Sequence, residues 1–461
     1  MQNRNCEGNE MVNVCPDSLH IMHRGKIIRE EYHKPFQKGM LHRMFSVAKS
    51  YTAIAIGALI SEEKLCMEDT VCTFFPEYLP EEFQEAEYDS LRRMTIEDLL
   101  TMRTCHATTT YKKHPERNWT ESFFITKPDH LPGMIFHYDT SAALVLAGLV
   151  RKISGKSVLD YLRDVFLDQI GFSKDAYFTK DPFGADNGGS GMMAYPEDLL
   201  VTGKFLVSVL NGKLQEEYPE LMNANADSVY NGEFFVRFEK FLKEAMRYHS
   251  STIHEGKTRS ERAGYGYMFW MLPKGGIMMY GMGGQYLILY PKEELVIVTT
   301  ADAQSEAGGT QGILDMAEYE ILPSYKESDP DSDRNDKIPG FSFENYIGKY
   351  RIGKKGSVFE GFSVEENEFR LRKKEEEYRF LFSLGNYGTE FEIKECSHNY
   401  AKAELQPDGS LYIRVRLMGE SFGALHILIR KKEKHTLLFL RKVEEYALPE
   451  FNGFFDAERI K

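Results

Sequence analysis

The sequence has no apolar run long enough to cross a membrane. A spanning helix needs about 18 or more consecutive apolar residues, and the longest stretch here, Tyr51 to Ile60, falls well short. Met1 to Met11 is polar and carries acids, without the apolar centre of a secretory leader. The expectation is a cytoplasmic protein, or an extracytoplasmic one whose leader is not part of this sequence. Cations are also in short supply, with 57 Lys and Arg against 70 Asp and Glu and a net charge of -13. Nucleic-acid binding needs clustered cations to neutralise phosphates, so no nucleic-acid partner is expected. The six cysteines (Cys6, Cys15, Cys66, Cys72, Cys105 and Cys396) form no C-x-x-C pair and keep no zinc-finger spacing with a histidine. They suggest neither a disulfide framework nor a structural zinc site. His42, His106, His114, His137 and His254 match no metal-ligand spacing either, and each reads as surface or satisfied core. No metal and no cofactor is expected, and no tandem repeat is visible.

The 461 residues exceed one ordinary compact core. Leu19, Ile21 and His23 alternate, and Ile27-Ile28 resumes beyond Gly25-Lys26, so residues 19–33 read as two strands about a turn. Ser46 to Leu59 reads as a helix that is apolar nearly all round, and therefore buried. Residues from about 65 to 255 are mainly helical. Thr95 with Asp98 three residues on marks a capped start. Residues 140–153 and 157–169 form helices separated by Gly155, and Pro196 to Leu210 forms another. From Gly264 the pattern turns to strands: Gly264 to Met271, Gly276 to Tyr280, Gln285 to Tyr290 and Leu295 to Thr300, closed by a helix from Gln311 to Leu322. The expected fold class is α+β: an antiparallel sheet made from both ends of residues 1–324, with a helical insertion between them. Residues 325–340 form a polar linker. In residues 341–461, alternation at Tyr378, Phe380 and Phe382, at Leu411, Ile413, Val415 and Leu417, and at Leu425, Ile427 and Ile429 predicts strands. About eight such strands, with a tight turn at Asp408-Gly409, fit a small antiparallel barrel.

Ser46-Val47-Ala48-Lys49 is an S-x-x-K. On a helix, residues three apart share a face, so the hydroxyl and the amine meet. A serine hydroxyl becomes nucleophilic when a base takes its proton, and a lysine serves as that base once burial disfavours its charged form. Free N–H groups at a helix start can stabilise an oxyanion. The motif alone is weak, since about one or two copies arise by chance in a chain of this length. A second copy, Ser61-Glu62-Glu63-Lys64, lies in a charged stretch and reads as solvated surface.

The surroundings of Ser46 resemble the serine β-lactamase family, which includes class C enzymes, DD-peptidases and related esterases. The resemblance covers most of residues 17–324, and its pieces keep the family order. They are the hairpin Leu19 to Tyr32, Phe45 to Thr52, Thr95 to Met102, Pro132 to Tyr138, Gly189 to Met192 before Pro196 to Leu199, Gly264 to Tyr267, and Gly281 to Gln285. The resemblance implies Ser46 as nucleophile, Lys49 as its helper base, and Tyr138 as the tyrosine of a Tyr-x-Asn motif that ionises and relays protons. Thr140 takes the place of the Asn. Met282, Gly283 and Gly284 take the place of the third motif, and the Gln285 N–H is implied as an oxyanion donor. Two departures bear on substrate. Thr140 lacks an amide's paired groups, and Met282 stands where relatives place a Lys or His that holds a substrate carboxylate. The implied activity is that of a serine hydrolase on a small ester, amide or peptide with little negative charge. The alternatives are a true β-lactamase or D-Ala-type peptidase, and a penicillin-sensing protein that acylates without turnover. Residues 341–461 resemble the lipocalin-like β domains appended to some members.

Overall fold

The computed structural model describes residues 16–460 except 224–227, 305–308, 327–341, 354–356, 375, 394–395, 419–422, 444–447 and 449. The expected linker lies almost wholly outside the described residues, as do the polar N-terminus and Cys6 and Cys15.

Strand Ser18–His23 pairs with Lys26–Tyr32 on one side and with Leu295–Thr300 on the other. One sheet is thus made from both ends of the first part of the chain. Its six antiparallel strands run in the order Lys26–Tyr32, Ser18–His23, Leu295–Thr300, Gln285–Tyr290, Ile277–Gly281, Trp270–Met271. The last is far shorter than the strand expected from Gly264. Gly264 at φ 124° and Met268 at φ 60° turn the chain out of the extended conformation. A second sheet, which the sequence pattern did not indicate, joins His42–Phe45, Met192–Ala194 and Tyr177–Phe178.

The helix Val47–Ser61 buries 14 of its 15 residues, as its all-round apolar character requires. It packs against helices Thr140–Ser154 and Gly232–Ala245. The second of these went unremarked in the sequence, although Phe234, Phe238, Phe241 and Leu242 mark its apolar face. Asp139 caps Thr140–Ser154 by accepting the Ser141 N–H at 2.8 Å, and Gly155 ends it at φ 74°. Thr95 and Asp98 form the expected reciprocal capping box. The helices expected over 157–169 and 311–322 each pass into a π turn, at Arg163–Leu167 and Met316–Ile321.

Beyond residue 342 the described residues form ten strands, from Gly348–Ile352 to Gly453–Ile460. Nine make a ring, closed by a parallel pairing of Phe382, Ser383 and Leu384 with Ala401, Lys402 and Ala403. Leu411, Ile413, Val415 and Leu417 point into the barrel core. The outer face packs on the first part of the chain. Tyr412, Leu428, Leu437, Phe439 and Phe454 cover Met134 and Ile135. Around this apolar seam, Ser251 N–H donates to Asp408 at 3.0 Å, and Arg441 donates to the His254 carbonyl at 3.0 Å.

Candidate active site

Strand His42–Phe45 runs into helix Val47–Ser61 through Phe45, a non-glycine residue at φ 46°. Left-handed backbone of this kind costs on the order of 1–2 kcal/mol. It swings Ser46 out at the helix start, part-exposed, with its carbonyl accepting the Lys49 N–H at 3.1 Å. One turn on, the Lys49 side chain is 1% exposed. Its Nζ lies 3.1 Å from Ser46 Oγ, 3.2 Å from Thr140 Oγ1 and 2.6 Å from the Gly189 carbonyl oxygen. The Gly189 carbonyl comes from the loop leading into Met192–Ala194, the strand that pairs with His42–Phe45.

Burial lowers the Lys49 pKa to about 7, with the Asp139 carboxylate pulling weakly the other way. A neutral amine has two N–H donors and one lone pair. In that neutral form the Gly189 and Thr140 oxygens can take the two N–H groups, which leaves the lone pair for the Ser46 hydroxyl. Thr140 therefore orients Lys49 directly. In the sequence Gly189 stood out only within the piece Gly189 to Met192, with no role for its carbonyl.

Tyr138 precedes the cap residue Asp139. Its ring centroid is 4.9 Å from Lys49 Nζ, and its hydroxyl shares a hydrogen bond with Ser46. Burial pushes the phenol pKa well up, the Ser46 bond lowers it, and Tyr280, Glu261 and Glu255 raise it further. Burial thus favours the neutral form of the Tyr138 phenol. Asp139 is fully buried, and burial raises its carboxyl pKa. Around Tyr138, the rings of Phe136, Tyr265 and Trp270 stand 6.4, 6.3 and 5.6 Å away, and Tyr280 lies 6.2 Å from Trp270.

Met282, Gly283 and Gly284 form the turn between strands Ile277–Gly281 and Gln285–Tyr290. Gly283 at φ 91° and Gly284 at φ 107° occupy a region that side-chain-bearing residues rarely enter. The Gln285 side chain is buried and holds the turn in place. Its Nε2 donates to the Met282 and Ala301 carbonyls at 3.2 and 2.5 Å, and its Oε1 accepts the Ala301 N–H at 3.2 Å. Met282 is 45% exposed.

The second S-x-x-K is built differently. Ser61 is 1% exposed, not solvated as expected, because its hydroxyl donates back to the Gly57 carbonyl at 2.7 Å. Lys64 is exposed and pairs with Glu62. The histidines also depart from expectation. His106 and His254 are buried and donate from Nε2 to the Phe123 and Phe136 carbonyls at 2.9 Å, while both Nδ1 atoms lack a partner among the described residues. Among the described residues no group of three or more His, Cys, Asp or Glu side chains is arranged to hold a metal ion, and no helix is long and apolar enough to cross a membrane.

A family model described as Beta-lactamase matches residues 16–317. No curated protein matches the chain. Among solved structures, the chain is similar to the octameric penicillin-binding protein homologue from Pyrococcus abyssi, at 15% identity and TM-score 0.47, covering 96% of this chain and 95% of that one. It is also similar to EstCE1, a hydrolase with promiscuous acyltransferase activity, at 16% identity and TM-score 0.48, covering 65% and 91%. A class C β-lactamase mutant matches at 17% identity and TM-score 0.47, covering 67% and 91%.

Proposed function

The chain belongs to the Beta-lactamase family, and on that premise we propose that it is a serine hydrolase acting on a small ester, amide or peptide through an acyl-enzyme at Ser46. The carrying observation is the buried Lys49, whose Nζ stands 3.1 Å from Ser46 Oγ with the Thr140 hydroxyl and the Gly189 carbonyl as its other two partners. Lys49 takes the Ser46 proton as the oxygen attacks the acyl carbon. The tetrahedral oxyanion sits between the start of helix Val47–Ser61 and the Gln285 N–H at the head of its strand. On collapse, the leaving alkoxide or amine takes a proton from the neutral Tyr138 hydroxyl, which is replenished from the Lys49 ammonium. Water then attacks the ester by the reverse proton path.

Glu261 and Glu255 act on Tyr138 from a distance, Lys49 is the cation beside it and is engaged with Ser46, and Met282 brings no second cation to the turn. This combination supports an acyl substrate without a carboxylate over a β-lactam or a D-Ala peptide. Hydrolysis of a short-chain nitrophenyl ester tests the reading. A burst of nitrophenol stoichiometric with enzyme, followed by steady turnover, is expected. A burst without turnover points instead to a sensor that only acylates, and neither burst nor turnover with any neutral ester refutes the reading.

A further inference from the structure

The segment carrying Tyr138 is clamped from a direction that the chemistry at Ser46 does not require. Tyr138 N–H donates to Glu255 Oε1 at 3.1 Å, and the neighbouring His137 Nδ1 lies 3.3 Å from Glu255 Oε2. His254, next to Glu255, donates from Nε2 to the Phe136 carbonyl at 2.9 Å. Two adjacent side chains thus hydrogen-bond the backbone on both sides of His137, at Phe136 and Tyr138, and the His137 contact adds an ion pair when that imidazole is protonated. They are themselves held by the barrel. Arg441, on strand His435–Val443, donates to the His254 carbonyl at 3.0 Å, and Phe439 of the same strand stands edge-on to the His254 ring at 5.0 Å. Phe454 reaches the His137 ring at 6.1 Å. Met134 and Ile135, just upstream, are sealed under the barrel's outer face.

The pair His137 and Glu255 is part-exposed, at 25% and 20% of side-chain area. Proton transfer is sensitive to placement, and a shift of about 1 Å can cost on the order of a hundredfold in rate.

We propose that Glu255 is a positioning residue that aims the Tyr138 hydroxyl at Ser46, and that the barrel completes this clamp through Arg441, making it part of the active site's support. The inference rests on the reading of Tyr138 as the proton relay.

The test is a double-mutant cycle in the full chain with a nitrophenyl ester. Glu255→Ala is expected to lower kcat about ten- to a hundredfold with KM within about threefold. Glu255→Gln keeps an oxygen for the Tyr138 N–H and is expected to retain kcat within about fivefold. Arg441→Met is expected to lower kcat by a few-fold, with Arg441→Lys restoring most of it. In a Tyr138→Phe background, Glu255→Ala is expected to cost less than about twofold more, because the group it aims is gone. Full additivity of the two substitutions overturns the clamp, as does a Glu255→Ala enzyme with wild-type kcat. Wild-type kcat in Tyr138→Phe alone instead brings down the relay reading beneath it. Should Glu255→Ala fail to fold, the Arg441 pair in the wild-type and Tyr138→Phe backgrounds carries the same comparison, and equal losses in Arg441→Met and Arg441→Lys count against the clamp.

Discussion

Met44 and Gly281 meet backbone to backbone: a Cβ at Gly281 would stand 2.1 Å from the Met44 carbonyl oxygen. Met44 lies two residues before Ser46, and Gly281 ends the strand that leads into the Met282–Gly284 turn. The nucleophile and the third motif are thereby fixed to each other through main chain, where no rotamer change can give way. Gly281→Ala is expected to push the turn off the site, to destabilise the fold by roughly 1–3 kcal/mol and to slow acylation. Thermal melting and the rate of fluorophosphonate labelling check it, and an unchanged labelling rate counts against the contact's importance.

Removal of the base is the second test. Lys49→Met is expected to keep the helix and cut acylation by at least about a hundredfold at neutral pH, the usual scale of a lost general base. In the wild type, kcat/KM is expected to rise with pH through about 7, the pKa to which burial lowers Lys49, because only the neutral amine accepts the proton. That limb is expected to vanish in Lys49→Met. A near-normal acylation rate, or a pH limb that survives the substitution, means that another group activates Ser46.

The same lysine has a stability consequence of definite sign. Its pKa falls from 10.5 in the unfolded chain to about 7 in the fold. Between these values the unfolded chain binds more protons, so stability rises with pH across that window. Below about pH 7 the fold bears the full cost of a buried ammonium. Lys49→Met is therefore expected to raise Tm, and to raise it more at pH 6 than at pH 9. Calorimetry at the two pH values decides, and a Tm that falls equally at both contradicts the burial argument.

Substrate charge is the fourth. With Met282 at the turn and Glu255 and Glu261 acting on Tyr138, an unpaired substrate carboxylate is costly to desolvate. Neutral nitrophenyl esters are expected to exceed penicillins and cephalosporins in kcat/KM. Met282→Lys is expected to shift the ratio toward the carboxylated substrates, by up to about tenfold. Efficient β-lactam hydrolysis with feeble ester turnover reverses the assignment.

The elements whose periodicity is strong were legible in the sequence. The all-apolar run after Ser46 can only be a buried helix, and Thr95 with Asp98 and Pro196 marked their helix starts. The apolar, β-branched and aromatic runs after Gly284 located Gln285–Tyr290 and Leu295–Thr300 to the residue. The pattern failed where local backbone overrides it. Gly264 and Met268 at positive φ cut one strand to Trp270–Met271, and two π turns carry residues that no 3.6-residue period anticipates. The barrel's ring of nine strands closes through a parallel pairing that an alternating pattern cannot distinguish from an antiparallel one. At the site, Ser46, Lys49 and Tyr138, named from motifs spaced along the chain, lie side by side. Gly189 contributes a backbone carbonyl, for which side-chain identity carries no signal. Glu255 acts from 117 residues away on a main-chain N–H, a contact that depends wholly on tertiary packing.

The central claim is that Ser46, and not the second serine of the same pattern, is the nucleophile. Intact mass after exposure to a fluorophosphonate, followed by peptide mapping, tests it most directly in wild type, Ser46→Ala and Ser61→Ala. A single adduct on Ser46 is expected in the wild type and in Ser61→Ala, with none in a folded Ser46→Ala and ester hydrolysis lost alongside. An adduct that persists in folded Ser46→Ala, or that maps to any other residue in the wild type, contradicts the account.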